Sequence, residues 1–144
     1  MSIGFRLIAD PDNTEYRVFT IASQAFTIGD SVDISRTAAT VVPSTSTSKD
    51  YEVRGVAMET VTSAATQLLV ALVTPRQRWS VDATNNSNAT HNGQRQVLTD
   101  KSTVNNTGTD STSASAVVEQ IGFTGVVGDK RLVVRFLAAP NVTA

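Results

Sequence analysis

Forty-five of the 144 residues, 20 Thr, 19 Val and 6 Ile, carry a branch at Cβ. Such side chains lose rotamer freedom against the preceding turn of a helix and pack well on a pleated surface, so the chain is expected to be mainly β. Fourteen Ser and 8 Asn supply turn chemistry between strands. Hydrophobic residues, 40% of the total and spread along the whole chain, argue for a packed core. A chain of this length suits one domain and buries about two thirds of its extended surface without help from disulfides or metal.

The charge balance, 12 basic against 13 acidic residues and a net charge of -1, argues against nucleic acid as a partner, because that binding draws on lysines and arginines neutralising phosphates. The chain has no cysteine, which excludes thiol catalysis, thiolate metal sites and disulfides. Met1 to Asp12 alternates and holds Arg6 and Asp10 where an export signal needs an apolar run. Thr60 to Pro75, the longest uncharged run, is too short and too hydroxylated to span a bilayer, so no membrane partner is expected.

Period-two alternation marks the strands. Ile3, Phe5 and Leu7 oppose Gly4 and Arg6 before an Asp10-Pro11-Asp12-Asn13 turn, and Tyr16 and Val18 oppose Glu15 and Arg17 before a bulge or bend expected near Phe19. A short strand-turn-strand unit is only marginally stable alone, so residues 1–24 are read as an extended N-terminal arm and residues 25–144 as the main domain. Phe26 and Ile28 flank Gly29-Asp30 with Val32 and Ile34, a spacing that suits a tight hairpin or a bulge. The pattern Tyr51, Val53 slips phase at Gly55 to Val56, Met58, which predicts a bent strand. Gln67 to Val73 is almost continuously apolar, as in a strand covered on both faces or a short buried helix. Trp79 and Val81 share one face. Arg95 to Val104 reads as an edge strand between two Asn/Ser/Thr-rich loops, and 117–127 with 130–137 reads as a closing hairpin around Gly128-Asp129.

Candidate chemistry is sparse. His91, with Ser80, Asp82 or Ser87 near it in sequence, lies in a loop with no rigid orienting partner and reads as a solvated histidine. The acids Glu52, Glu59, Asp82, Asp100, Asp110, Glu119 and Asp129 show no spacing that singles out a catalytic pair. Glu119, in phase with Val117, Ile121 and Phe123, is expected to form a structural ion pair with Arg135. Asp10 to Asn13 is a poor match to a calcium loop and reads as a turn, so no metal or other cofactor is expected. Trp79 and Tyr51 fit core positions better than an aromatic platform for a sugar or base. The sequons at Asn85, Asn88, Asn105 and Asn141 follow from an Asn/Thr-rich composition. The chain is therefore expected to work through surface area, with no enzymatic activity.

The segment Val104-Asn105-Asn106-Thr107-Gly108-Thr109-Asp110-Ser111-Thr112, the stretch Ala116 to Ile121 and the end Gly128-Asp129-Lys130-Arg131-Leu132-Val133-Val134-Arg135-Phe136-Leu137 resemble the head decoration, or capsid cement, proteins of tailed bacteriophages. So do Phe26 to Val32 and Tyr51 to Met58. The resemblance, over about residues 25 to 138, implies a single β-barrel or β-tulip-like domain, assembled as a homotrimer on the outer surface of a capsid, where it bridges and stabilises major capsid protein subunits. It implies no catalytic residues. On that reading the arm is the grip, with Ile3, Phe5, Leu7, Tyr16 and Val18 as capsid-binding residues. The alternative is a tail- or fibre-associated domain that binds host glycans through its hydroxylated loops.

Overall fold

A computed structural model of the chain describes residues 4–11, 13–35, 40–107, 110–123 and 130–137. The protein is mainly β, as the β-branched composition predicts. Eleven strands are described: β1 (Arg6–Ala9), β2 (Tyr16–Thr20), β3 (Ser31–Ile34), β4 (Val41–Pro43), β5 (Val53–Ala57), β6 (Gln67–Leu72), β7 (Arg78–Ala83), β8 (Arg95–Asp100), β9 (Thr103–Asn105), β10 (Ala116–Phe123) and β11 (Arg131–Phe136). One 3-10 turn, Ala89–His91, sits in the loop between β7 and β8.

The strands form two sheets. The first runs β1-β7-β11-β10-β8-β9, and β9 pairs again with β7, in parallel, at Asp82↔Thr103 and Ala83↔Val104. The second runs β2-β6-β5-β3-β4. All pairings apart from β7 with β9 are antiparallel.

Two buried clusters form the core, and the first of them joins the sheets. In the first, Trp79, Val81, Leu132, Val134 and Phe136 of the first sheet meet Val53, Val56 and Ala71 of the second. Phe136 lies edge-on to Trp79, with ring centroids 5.9 Å apart, and 4.9 Å from the tilted ring of Phe5. The second cluster, Phe26, Val32, Ile34, Val41, Ala57, Leu68 and Val70, covers the other side of the five-stranded sheet. Strands β5 and β6 therefore bury residues on both faces: Val56 and Ala71 go to one cluster, Ala57, Leu68 and Val70 to the other. This is why Gln67 to Val73 carries so little polar alternation. The indole N–H of Trp79 donates to buried Gln77 Oε1 at 3.2 Å, and Gln77 Nε2 donates to Thr14 Oγ1 and the Leu72 carbonyl. The one polar edge of the central aromatic is thus satisfied.

Polar contacts also tie the sheets. Ser31 donates through both N–H and Oγ to the Lys101 carbonyl, Lys101 Nζ lies 3.6 Å from the buried Asp30 carboxylate, and Asp50 N–H donates to the Ala114 carbonyl.

Several sequence expectations change in detail. The pairing of β2 with β6 keeps one register from Tyr16↔Ala71 to Thr20↔Gln67, so the bulge expected near Phe19 is not there. Phe26 does not fold back on Val32; it bridges Val61, and Thr27 to Asp30 closes a turn with Gly29 at φ 95°. The segment Arg95 to Val104 is a hairpin, with β8 held between β10 and β9 rather than at an edge. Residues 1–24 were expected as an extended arm; among the described ones, β1 and β2 add to different sheets as edge strands, where Phe5 and Phe19 find apolar cover. The closing hairpin is present as β10 and β11, while its Gly128-Asp129 turn lies outside the described residues.

Gly55 shows why the pattern slips in β5. It is paired with Val32 on one side and Leu72 on the other, and a Cβ placed on it would fall 2.3 Å from Val70 Cγ1 and 3.2 Å from Val32 Cγ2. Only a residue without a side chain lets Val32 and Val70 of the second cluster close over this strand. Gly55→Ala is expected to lower stability by about 1–3 kcal/mol through overpacking, read as a lower urea midpoint at unchanged m-value.

Candidate binding surface

The five residues expected to grip a partner separate into two groups. Ile3 lies outside the described residues. Phe5 is 3% exposed and stacked in the first cluster, so its sequence alternation reports a core position, and Leu7 is half-buried against the same cluster. Tyr16 and Val18 are 51% and 61% exposed on one face of β2. The surface left by this division is the β2 edge. The backbone there is open in a defined way: Leu72 N–H donates to the Glu15 carbonyl and Ile21 N–H to the Thr66 carbonyl, so odd-numbered positions bond to β6 and the main-chain groups of Tyr16, Val18 and Thr20 point outward. Beside Tyr16, Glu15 bridges Arg17 at 2.5 Å, with both side chains more than half exposed.

A second apolar feature lies along β1. An open pocket of about 370 Å³ is lined by Phe5, Leu7, Ile28, Ala57 and Met58, with Arg6 at its rim. Ile28 is 53% exposed and the neighbouring Ile8 52%. The pocket exists because the chain before β1 is clamped to the Gly29 turn: Phe5 N–H donates to the Gly29 carbonyl at 2.8 Å, and Gly4, at φ 70°, packs so closely that a Cβ would lie 2.5 Å from Gly29 O. No sequence signal marked this pocket, since its walls come from three separated segments.

The polar candidates each have a structural task. Asp82 pairs with Arg131 at 2.5 Å, and Arg131 also donates to Ser80 Oγ at 2.9 Å. Glu119 pairs with Arg135 across β10 and β11, as expected, although Ile121 is 39% exposed and the buried side of β10 carries Val118 and Gln120 instead. Asp110 accepts from the backbone and guanidinium of Arg95. That hydrogen bonding to the Arg95 side chain holds its carboxyl below the ordinary range, and raises Arg95 in turn. Asp100 accepts from Ser102, Glu52 from Lys49 N–H and Glu59 from Leu69 N–H, while Asp129 lies outside the described residues. His91 ends the 3-10 turn half-buried, with Nδ1 enclosed, rather than fully solvated. Among the described residues no cluster of three or more His, Asp or Glu could hold a metal ion, and Asp10 forms a turn by accepting from Thr14 N–H at 2.7 Å. Trp79 is fully buried, and Tyr51 is half-buried.

Among the described residues, the hydroxylated loops line a shallow pocket of about 250 Å³, with Arg95, Asn105, Thr107 and Ser111 among its walls. The chain matches no protein-family model, and comparison with curated proteins finds no match.

Asp33, half-buried on β3, is an acid that sequence pattern missed. It accepts from Ser44 Oγ at 2.7 Å and Ser48 Oγ at 2.5 Å and so holds the Pro43 to Ser48 loop on β3. Burial raises its pKa, and the two hydroxyls only partly oppose this. A carboxyl raised on folding binds its proton more tightly in the folded state, so its contribution to stability is greatest below the ordinary carboxylate range and falls as pH rises through its own value. Asp33→Asn is expected to remove that part of the pH dependence, so that unfolding midpoints of variant and wild type diverge between acid and neutral pH; parallel profiles would refute it.

The two groups of anchor residues predict opposite outcomes. Phe5→Ala is expected to cost about 3–5 kcal/mol as a core truncation. Tyr16→Ser is expected to change stability by about 0.5 kcal/mol or less, as an exposed substitution. Both are read from urea unfolding.

Proposed function

We propose that the protein is a capsid decoration protein of a tailed bacteriophage, which binds the outer surface of the capsid and stabilises it by bridging major capsid protein subunits. It does so as a homotrimer, made in the host cytoplasm and resident on the virion, and without enzymatic activity. A barrel-like closure of the first sheet belongs to the same reading and is supported by the second pairing of β9 with β7. The observation that carries the proposal is the unpaired β2 edge with Tyr16 and Val18 exposed on it, an apolar strand margin of the kind that adds to another protein. The near-neutral charge suits a protein partner, and the ion pairs and caps formed by the acids leave the described surface better equipped for contact than for bond breaking. Three copies of a weak contact, held at high effective concentration by one assembly, would make firm attachment to a shell.

A second reading, glycan binding at a tail or fibre, is favoured by the pocket that brings the polar side chains of Arg95, Asn105, Thr107 and Ser111 together. Its residues, and not the buried Trp79, are the ones to test.

Mixed with undecorated heads of a tailed phage, the protein is expected to co-sediment at saturating stoichiometry and to raise the temperature at which the heads disrupt. Absence of binding to heads, together with glycan-array binding lost on Asn105→Ala and Thr107→Ala, would replace this reading with the second.

A further inference from the structure

The two apolar features of the surface differ in shape, one a projecting strand edge and the other a hollow. We propose that copies of this chain associate head to tail, with the β2 edge of one copy seated in the pocket beside β1 of the next. This deepens the homo-oligomer of the preceding section by naming its interface, and rests on that reading only for the number of subunits.

The β2 edge is the one most open to pairing. The opposite margin of its sheet, β4, is three residues long and ends in Pro43, two devices that blunt an edge. Strand β1 is interrupted by a register shift between Leu7 and Ala9. Strand β2 has five residues in unbroken register, no proline, and Tyr16 and Val18 exposed on one face. On the receiving side, about 370 Å³ of apolar hollow suits a side chain such as tyrosine with its neighbour, and its position against an edge strand lets an incoming strand lie along it.

Charge completes the match. Arg6, at the rim of the pocket, has no ion pair with any described residue, whereas Glu15 stands next to Tyr16 on the projecting edge. Seating Tyr16 in the pocket brings a carboxylate toward that unpaired guanidinium, and Glu15 then lies between Arg17 of its own copy and Arg6 of the next. Because the edge and the pocket are different patches, the contact is heterologous: it builds closed rings or open chains and does not build a two-fold dimer.

The test uses the full chain and two variants, one altered on each side: Tyr16→Asp with Val18→Asp on the edge, and Ile28→Arg at the exposed lip of the pocket. All are first shown to be folded by circular dichroism and thermal melting. Light scattering is expected to give the wild type a mass of three or more protomers, and each variant alone the mass of one. An equimolar mixture of the two variants retains one intact edge facing one intact pocket, so it is expected to give heterodimers and nothing larger. A wild-type monomer at millimolar concentration, a variant that keeps the wild-type mass, as Ile28→Arg would if β2 paired with β2, or a mixture that stays monomeric overturns the proposal. A wild type that assembles but ignores phage heads overturns the decoration reading and leaves this interface standing.

Discussion

Everything in this fold depends on a pair of strands, β5 and β6, that have no solvent face along most of their length. Val56 and Ala71 press on the aromatic cluster around Trp79 and Phe136, while Ala57, Leu68 and Val70 close the second cluster. Burial on both sides roughly doubles the apolar area removed from water per strand, at about 25 cal/mol per Å². It also means that the two sheets are not independent layers: a change in the packing of β6 is felt in both clusters. Gly55 is the most crowded point of this arrangement, where Val70 and Val32 occupy the space a side chain would need.

The same constraint explains which parts of the fold were legible in the sequence. Strands with one wet face kept their alternation, so β7, β10 and β11 could be placed, and so could the Glu119 to Arg135 pair across the last hairpin. The unbroken run of Gln67 to Val73 announced a strand covered twice, although it left a short helix open as an alternative. What pattern could not carry was partner choice. Phe5 and Tyr16 have the same local signature, an aromatic in period two with charged neighbours, yet one fills the core and the other faces solvent. The difference arises from which sheet edge each segment meets, and that is decided by residues 50 to 130 positions away. Asp33 was missed for a related reason, since its hydroxyl partners Ser44 and Ser48 lie 11 and 15 positions away in a loop that period-two alternation does not place.

Placing β1 and β2 at the margins of different sheets changes what the N-terminal residues can do. A free arm binds by ordering itself on a partner, and loses conformational entropy when it does. An edge strand is already ordered by β6 or β7, so a partner that adds to it meets a preorganised template and a smaller entropic cost. The corollary is that the N-terminal segment is no longer dispensable for folding, because Phe5 belongs to the cluster that Phe136 and Trp79 form.

Sheet edges are a hazard that soluble β proteins suppress, and the described edges here are treated unequally. In the first sheet, β9 turns back on β7 and removes one margin. In the second, β4 is short and capped by proline. Only β2 combines length, regular register and exposed apolar side chains, and mutational drift toward a charge or a proline there would be cheap for folding, since Tyr16 and Val18 bury little against their own chain. An open edge that costs solubility and adds little to the core is best accounted for by a contact it makes. The apolar hollow beside β1, with an arginine that has no ion pair among the described residues, offers a complementary surface on the same molecule, and this is the physical basis for the proposal that the protein works by assembling.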